Sequence, residues 1–421
     1  MANDFTKADS VAFEQVMEGF NDALVLSKNV SIYNTSGTTM ERAGDIVWRP
    51  QPFVAQSYDG TDATANFNDS AQLSVPATLG YSKYSTAILD GKQLRDALKE
   101  GSLGAAAAQK LASDINVAVM NVASTYGSLV VKRTVAATGF DDVALCEAIM
   151  NEQGVQGGDR YLALSTRDYN GMASNLASRS TMTGKPMTAY ERAQVGMVAS
   201  FDTYKLDYAN RLAAAGGGGS LTMDTRLAAA NYYTPKATSV ATTGERGNVD
   251  NRFQTVTISS TTSVLAGDAF TVAGINAAHH ITKGDTGQLK TYRVISVDSS
   301  TTMTICPPII SAQGGTDAEA QYKNCIVTEA ASAAIVFLNT VAANMNVFWH
   351  KDAIELLPGN YEIPSDAGTK VIRASTDNGI EVVMQKFYDI NKMKTKYRWD
   401  VLFGAVCKQP EMAGIMLFSQ T

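Results

Sequence analysis

From Ser10 to Leu26, in "SVAFEQVMEGFNDALVL", Phe13, Val16, Met17, Phe20 and Leu24 recur at helical spacing while Glu14, Glu18 and Asp22 supply an acidic side. The pattern predicts an amphipathic arm that docks on other protein, and it equally suits an ordinary helix packed on its own core. The period then shortens to two. "DIVWRPQPFV" and "LSVPATLGYSKYSTAIL" read as strands, and the polar stretch "AQSYDGTDATANFNDSAQ" between them carries the turn formers Asp59, Gly60 and Asn68. An extended hairpin is expected. Its connection is long for one inside a compact domain, so it should reach away from its own core.

The longest helical pattern follows. Leu103, Leu111, Ile115, Ala118, Val119, Val122 and Tyr126 trace one face, and "GAAAAQKLASD" has high helix propensity. A helix over 103–126 would be roughly 36 Å long, a strut that Gly127 stops. Residues 140–208 mix helix and strand. Beyond "GGGGS" at 216–220 the texture changes to short Thr- and Val-rich runs, "FQTVTISSTT", "DAFTVAGI", "LKTYRVISVD" and "TMTICPPII", which predict a small β-barrel or sandwich. Helical character is expected again in "EAASAAIVFLNTVAANM", followed by strands to the end. The glycines therefore open an insertion of about a hundred residues into an α/β domain, with the chain returning near Asn344.

Composition narrows the function. The chain has 421 residues, 45% of them hydrophobic and only 18% charged; a charge fraction below the usual quarter suggests that uncharged surface meets other protein. The formal charge of −6 provides no basic face for phosphates. Four scattered cysteines form neither a metal knuckle nor a secreted disulfide framework. The first residues lack a leader pattern and no apolar run reaches the ~18 residues of a membrane span, so cytoplasmic residence without a membrane partner is expected.

Sites for chemistry are sparse. His279 and His280 are adjacent, which points alternate rings to opposite sides and suits a surface loop better than a metal site; His350 follows Trp349. No G-x-S-x-G elbow or phosphate loop occurs. Asp141 and Asp142 stand where helix N-terminal acids belong. In "KMKTKYRWD", Lys392, Lys394, Lys396 and Arg398 alternate with Met393, Thr395, Tyr397 and Trp399, a pattern for a half-buried strand with a salt-bridged subunit contact rather than for nucleic acid. No catalytic, cofactor or metal site is expected.

Three strings carry a family resemblance: "VDNRFQTVTISSTT" with "AGDAFTVAGI", "NVFWHKDAIELL", and "ASTYGSLVV". The chain resembles the major capsid (coat) proteins of short-tailed phages of the Salmonella podophage P22 type. These have the α+β Johnson fold of tailed-phage and herpesvirus shells, with an inserted I-domain. The resemblance implies an N-arm at 1–40, an E-loop at 41–89, spine helix and P-domain at 90–159, and the first part of the A-domain at 160–221. It implies a β-barrel I-domain at 222–340, then the A-domain return with the P-domain C-terminal strands at 341–421. It also implies self-assembly into hexameric and pentameric capsomers with scaffolding, portal and decoration proteins as partners. The resulting shell would enclose double-stranded DNA without reading its sequence.

Expected subunit contacts are Phe13, Met17 and Phe20 on the arm, Tyr58 and Phe67 on the hairpin, and Glu245 and Arg246 in "TSVATTGERGN", where the family pattern is richer in charge. Some Johnson-fold shells are locked by a lysine–asparagine bond from the E-loop. This chain has no lysine between Gln51 and Ser82, so that stretch of the loop offers no donor for the linkage. A tail or baseplate subunit, and more weakly an enzyme with an unrecognised site, remain as other readings.

Overall fold

The computed structural model describes residues 13–14, 16–20, 24–33, 46–64, 67, 70–90, 93, 97–177, 195–206, 209–216, 221–223, 232–328, 333–364, 370–376 and 378–421, with side chains from 103 onward in the long helix. Asp22, Asn68, the glycine run from Gly217 and the first residues of the arm, all singled out above, lie outside them. The chain divides into two compact units.

The first unit comprises Met1–Val47, Ala77–Asn121 and Ile354–Val406. Its six-stranded sheet runs in the order Ser31–Ile32, Ile354–Gly359, Lys394–Cys407, Glu381–Asp389 and Lys370–Ser375, with Tyr81–Asp90 also paired to the long strand. Period-two alternation decides its faces. Thr395, Tyr397 and Trp399 are buried on one side, while Lys394, Lys396 and Arg398 emerge on the other beside acids. The basic residues of this strand are thus neutralised within the chain: Lys396 Nζ lies 3.2 Å from Asp389, Arg398 Nε 2.8 Å from Asp400 and Lys394 Nζ 3.7 Å from Asp90.

The long helix runs from Ala97 to Tyr126, six residues earlier than the apolar stripe indicates, because "ALKEG" holds strong helix formers without a core-facing pattern. Its length is about 45 Å. Leu111, Ile115, Ala118 and Val119 face inward, and Gly104 leaves room for the arm, since a Cβ there would stand 2.6 Å from Val16 Cγ2.

The second unit comprises Trp48–Pro76, Val122–Ala353 and Cys407–Thr421 and holds two large sheets. Gly127 follows the end of the helix there, its N–H reaching Ala123 O at 3.0 Å, with the backbone of Gly414 too close for a side chain. The first sheet is ordered Leu129–Lys132, Ala413–Leu417, Asn346–His350, Arg160–Ser165, Phe201–Leu206 and Met197–Val198. The helices Phe140–Gln153 and Thr166–Ala177 share its core. Asp142 accepts from Thr138 N and Gly139 N and pairs with Arg133 at 2.6 Å, closing the first helix's N-terminus. Buried Asn346 accepts from Ser165 N at 2.7 Å and donates to Asp168 and Met416 O, pinning three neighbouring strands in register.

The second sheet is antiparallel: Gln254–Thr257, Thr302–Cys306, Asp285–Val297, Ala269–Ala278 and Cys325–Val327 in order, with Ile335–Phe337 also on Ala269–Ala278. Phe270, Val272, Ile275, Tyr292, Val294, Met303 and Ile305 fill its core. One expectation is corrected here. The alanine-rich stretch before Asn344 is not helical in its described part: Phe337, Val336 and Ile335 pair with Phe270, Thr271 and Val272. The β-branched "IVF" finds an open ladder there, and that tertiary offer outweighs the helix propensity of the flanking alanines. The ends of this excursion lie together, with Leu212 opposite Ala343, Arg211 opposite Asn344, and Ala215 N donating to Asn339 O at 2.8 Å.

Candidate assembly surfaces

The residues expected to touch other subunits fall on three separate places. On the arm, Phe13 and Phe20 are only 4% and 1% exposed, covered within the single chain, and Met17 is half-buried. Tyr58 and Phe67 stand on the connection between the paired strands Ile46–Pro50 and Ser74–Thr78, Phe67 being 87% exposed and Phe53 nearby also open. Tyr58 bonds the side chain of Gln56. Glu245 and Arg246 stand on a small ribbon in which Thr238–Val240 pairs with Arg246–Asn248, exposed throughout. Its turn closes through Ala241 N to Glu245 O at 2.9 Å.

A fourth surface escapes the one-dimensional pattern. Register places Phe387, Lys396 and Ile88 in one row across three strands of the first unit, on the exposed face of the sheet. Phe387 and Ile88 are exposed, as are Tyr388, Ile390 and Met393 in and beside the turn that follows. Tyr84 belongs to the same face, with Arg398 Cζ 4.9 Å from its ring. An apolar patch threaded with paired charges is suited to a protein partner. Finding it requires the strand register, which period alone does not provide.

The second unit carries a concentrated electrostatic site where its two sheets meet. Glu411, in the short turn before Ala413–Leu417, faces two lysines and a histidine of the antiparallel sheet domain. Lys290 Nζ lies 2.5 Å away with its side chain 4% exposed, His280 Nδ1 lies at 3.9 Å, and Lys283 adds its field. Burial pushes the Glu411 carboxyl up, but Lys290, His280 and Lys283 together outweigh it and hold it below the ordinary range. Burial lowers Lys283 to about 8 despite Glu411, and burial likewise lowers His280. The histidine pair is therefore half-buried packing at a junction, which corrects its reading as a surface loop: His279 Nδ1 accepts from Ile281 N and Thr282 N, and its ring covers Gly154. Gly154 ends the helix Phe140–Gln153 at φ +82, where a Cβ would be strained and would collide with that ring.

A second latch is Arg252. Asp250 grips its guanidinium, Nη1 donates to Cys407 O at 2.9 Å, and the rings of Phe253 and Tyr126 lie 5.0 and 5.6 Å from Cζ. Beside these groups an open cleft of about 480 Å³ is walled by Pro52, Pro307, Pro308 and Pro410. All four cysteines are buried and free, and burial raises each thiol. Among the described residues no cluster of His, Cys, Asp and Glu could hold a metal, and no helix is long and apolar enough to cross a membrane.

Much of the charge is paired within the chain, while exposed apolar side chains stand on the hairpin connection and on one sheet face, a layout suited to contact with other protein. Residues 1–419 match the model of the family described as P22 coat protein, gene protein 5, and the chain belongs to that family. It is a phage coat protein of mixed α+β structure, a structural component of the virion. A major capsid protein of Acyrthosiphon pisum secondary endosymbiont phage 1 is 23% identical over 98% of this chain and 99% of its own length. Among solved structures, the I-domain of the CUS-3 coat protein is 39% identical over 30% of this chain and 99% of that domain, with a TM-score of 0.23. The capsid of cyanophage P-SCSP1u is 11% identical over 94% of this chain and 89% of its own, with a TM-score of 0.45.

Proposed function

We propose that this protein is the major capsid subunit of a short-tailed, double-stranded DNA phage of the P22 type. It assembles in the bacterial cytoplasm, as hexameric and pentameric capsomers, into the icosahedral head. The observation that carries the reading is the family match across residues 1–419. In this reading 1–40 is the N-arm, 41–89 the E-loop, 90–159 the spine and P-domain, and 160–221 with 341–421 the A-domain and the remaining P-domain strands. Residues 222–340 are the I-domain. Tyr58, Phe67, Glu245 and Arg246, all exposed, serve as contacts with neighbouring copies, and the patch around Phe387 and Ile88 joins them. Met17 contributes from the arm. A scaffolding protein guides closure, a portal protein occupies one vertex, and a decoration protein can reinforce the outside. The negative net charge suits a container that must release its DNA. Co-expression with the neighbouring phage genes should yield fast-sedimenting particles built mainly of this chain; a protein that stays monomeric beside its scaffold would reject the proposal.

A further inference from the structure

The hairpin is joined at its root to the inserted sheet domain of the same chain. Ala71 N donates to Gln321 Oε1 at 3.2 Å, and Tyr322 Oη donates back to Ala71 O at 2.8 Å. Leu73, 3% exposed, packs with Ile310 and Tyr322, and Ala71 and Tyr233 border the cluster. Ser74 bridges to Asp250, the residue that grips Arg252, and Gln51 N donates to Leu73 O from the opposite side of the hairpin at 2.9 Å. The seat itself is braced. Gln321 and Tyr322 end the helix Asp317–Tyr322, which Thr316 caps, and buried Glu319 accepts from Gly314 N at 2.7 Å and from Thr234 Oγ1 at 2.5 Å. Past the root the character reverses: Phe53, Tyr58 and Phe67 are exposed.

We infer that the inserted domain is the seat of the hairpin, fixing through Leu73, Gln321 and Tyr322 the direction in which the open loop is presented to the next subunit. The seat follows from the contacts within the chain, whereas its consequence for shells rests on the capsid reading above. Leu73, Gln321 and Tyr322 are then positioning residues. Their loss lets the hairpin swing, because two side-chain hydrogen bonds to Ala71, the Leu73 plug and the Ser74–Asp250 bridge hold Ala71–Ser74 against the sheet domain. Hydrogen exchange separates this from a general structural role, since a local seat opens without the global fold.

In the full-length wild-type subunit, the Ala71 amide should exchange at least about tenfold more slowly than amides of Ser57–Thr64. In a Leu73→Ala, Tyr322→Phe double variant that protection should be lost while amides of Val272, Tyr292 and Val294 keep theirs. Co-expressed with the phage neighbours, this variant should give open or irregular particles where the wild type gives closed ones. If the double variant loses protection in the sheet core as well, Gln321→Ala, which removes one acceptor from the Ala71 amide, is read in its place by the same criteria. A wild-type Ala71 amide as fast as the loop overturns the seat. Loosened roots that still close shells of wild-type diameter overturn the positioning role. Wild-type protein that makes no shells, with Ala71 protected, would reject the capsid reading and leave the seat standing.

Discussion

Replacing Glu411 by glutamine removes the carboxylate that faces Lys290, His280 and Lys283. The structure sets the magnitude. The Lys290 side chain is 4% exposed and that of Glu411 16%, with 2.5 Å between their charged atoms. Breaking such a pair from one side strands a cation out of water and costs about 3–5 kcal/mol, whereas exchanging the whole pair for uncharged groups is close to neutral. Glu411→Gln should therefore destabilise the subunit by about 3–5 kcal/mol, and the double variant Glu411→Gln with Lys290→Met should recover most of it. With a urea slope of about 2 kcal/mol per molar, the unfolding midpoint followed by circular dichroism should fall by about 2 M in the single variant.

The pH dependence has a definite sign. Because the folded carboxyl lies below its unfolded value near 4.5, its stabilisation is complete above that value and is lost as pH falls through the folded one. The gap between wild type and Glu411→Gln should thus close in acid. A midpoint shift under about 0.5 M, or a double variant no better than the single, would refute the shared-anion argument.

Lys283→Met should raise the melting temperature at neutral pH, because the folded lysine is held near 8 against 10.5 when free, and the gain should shrink as pH rises through that window; a gain independent of pH would contradict this. Gly414→Ala should cost about 3 kcal/mol in thermal unfolding, since its Cβ would clash with Leu129 O and, at 2.5 Å, with Phe348 Cζ. Phe20→Ala should destabilise the monomer by about 3–5 kcal/mol, Met17→Ser by far less, as their burial dictates; equal losses would contradict the packing of the arm. Particles boiled in detergent should run as single chains near 44.8 kDa, because no lysine stands between Gln51 and Ser82; a ladder resistant to reductant would contradict this.

What a sequence discloses here depends on how local the deciding physics is. Alternation in "KMKTKYRWD" foretells Thr395, Tyr397 and Trp399 inward with Lys396 and Arg398 outward, because one strand's period suffices. The strut helix and its stop at Gly127 are equally local. The strand Ile335–Phe337 is hidden by the alanines around it and exists because Ala269–Ala278 offers an edge. His280 and Glu411 stand more than a hundred residues apart, and Tyr322 and Ala71 are separated by 251 positions, so neither the charge cluster nor the hairpin seat leaves a mark in any window of the chain. Composition pointed to a protein–protein role through scarce charge, and the structure locates where that charge is used. The exposed row of Phe387, Lys396 and Ile88 needs three strands in register before it becomes visible.

Electron microscopy of particles purified after co-expression of this chain with the neighbouring phage genes tests the central claim most directly. The account predicts closed icosahedral shells in which this chain is the repeating subunit; tubes, baseplate-like rings or unassembled protein containing this chain would contradict it.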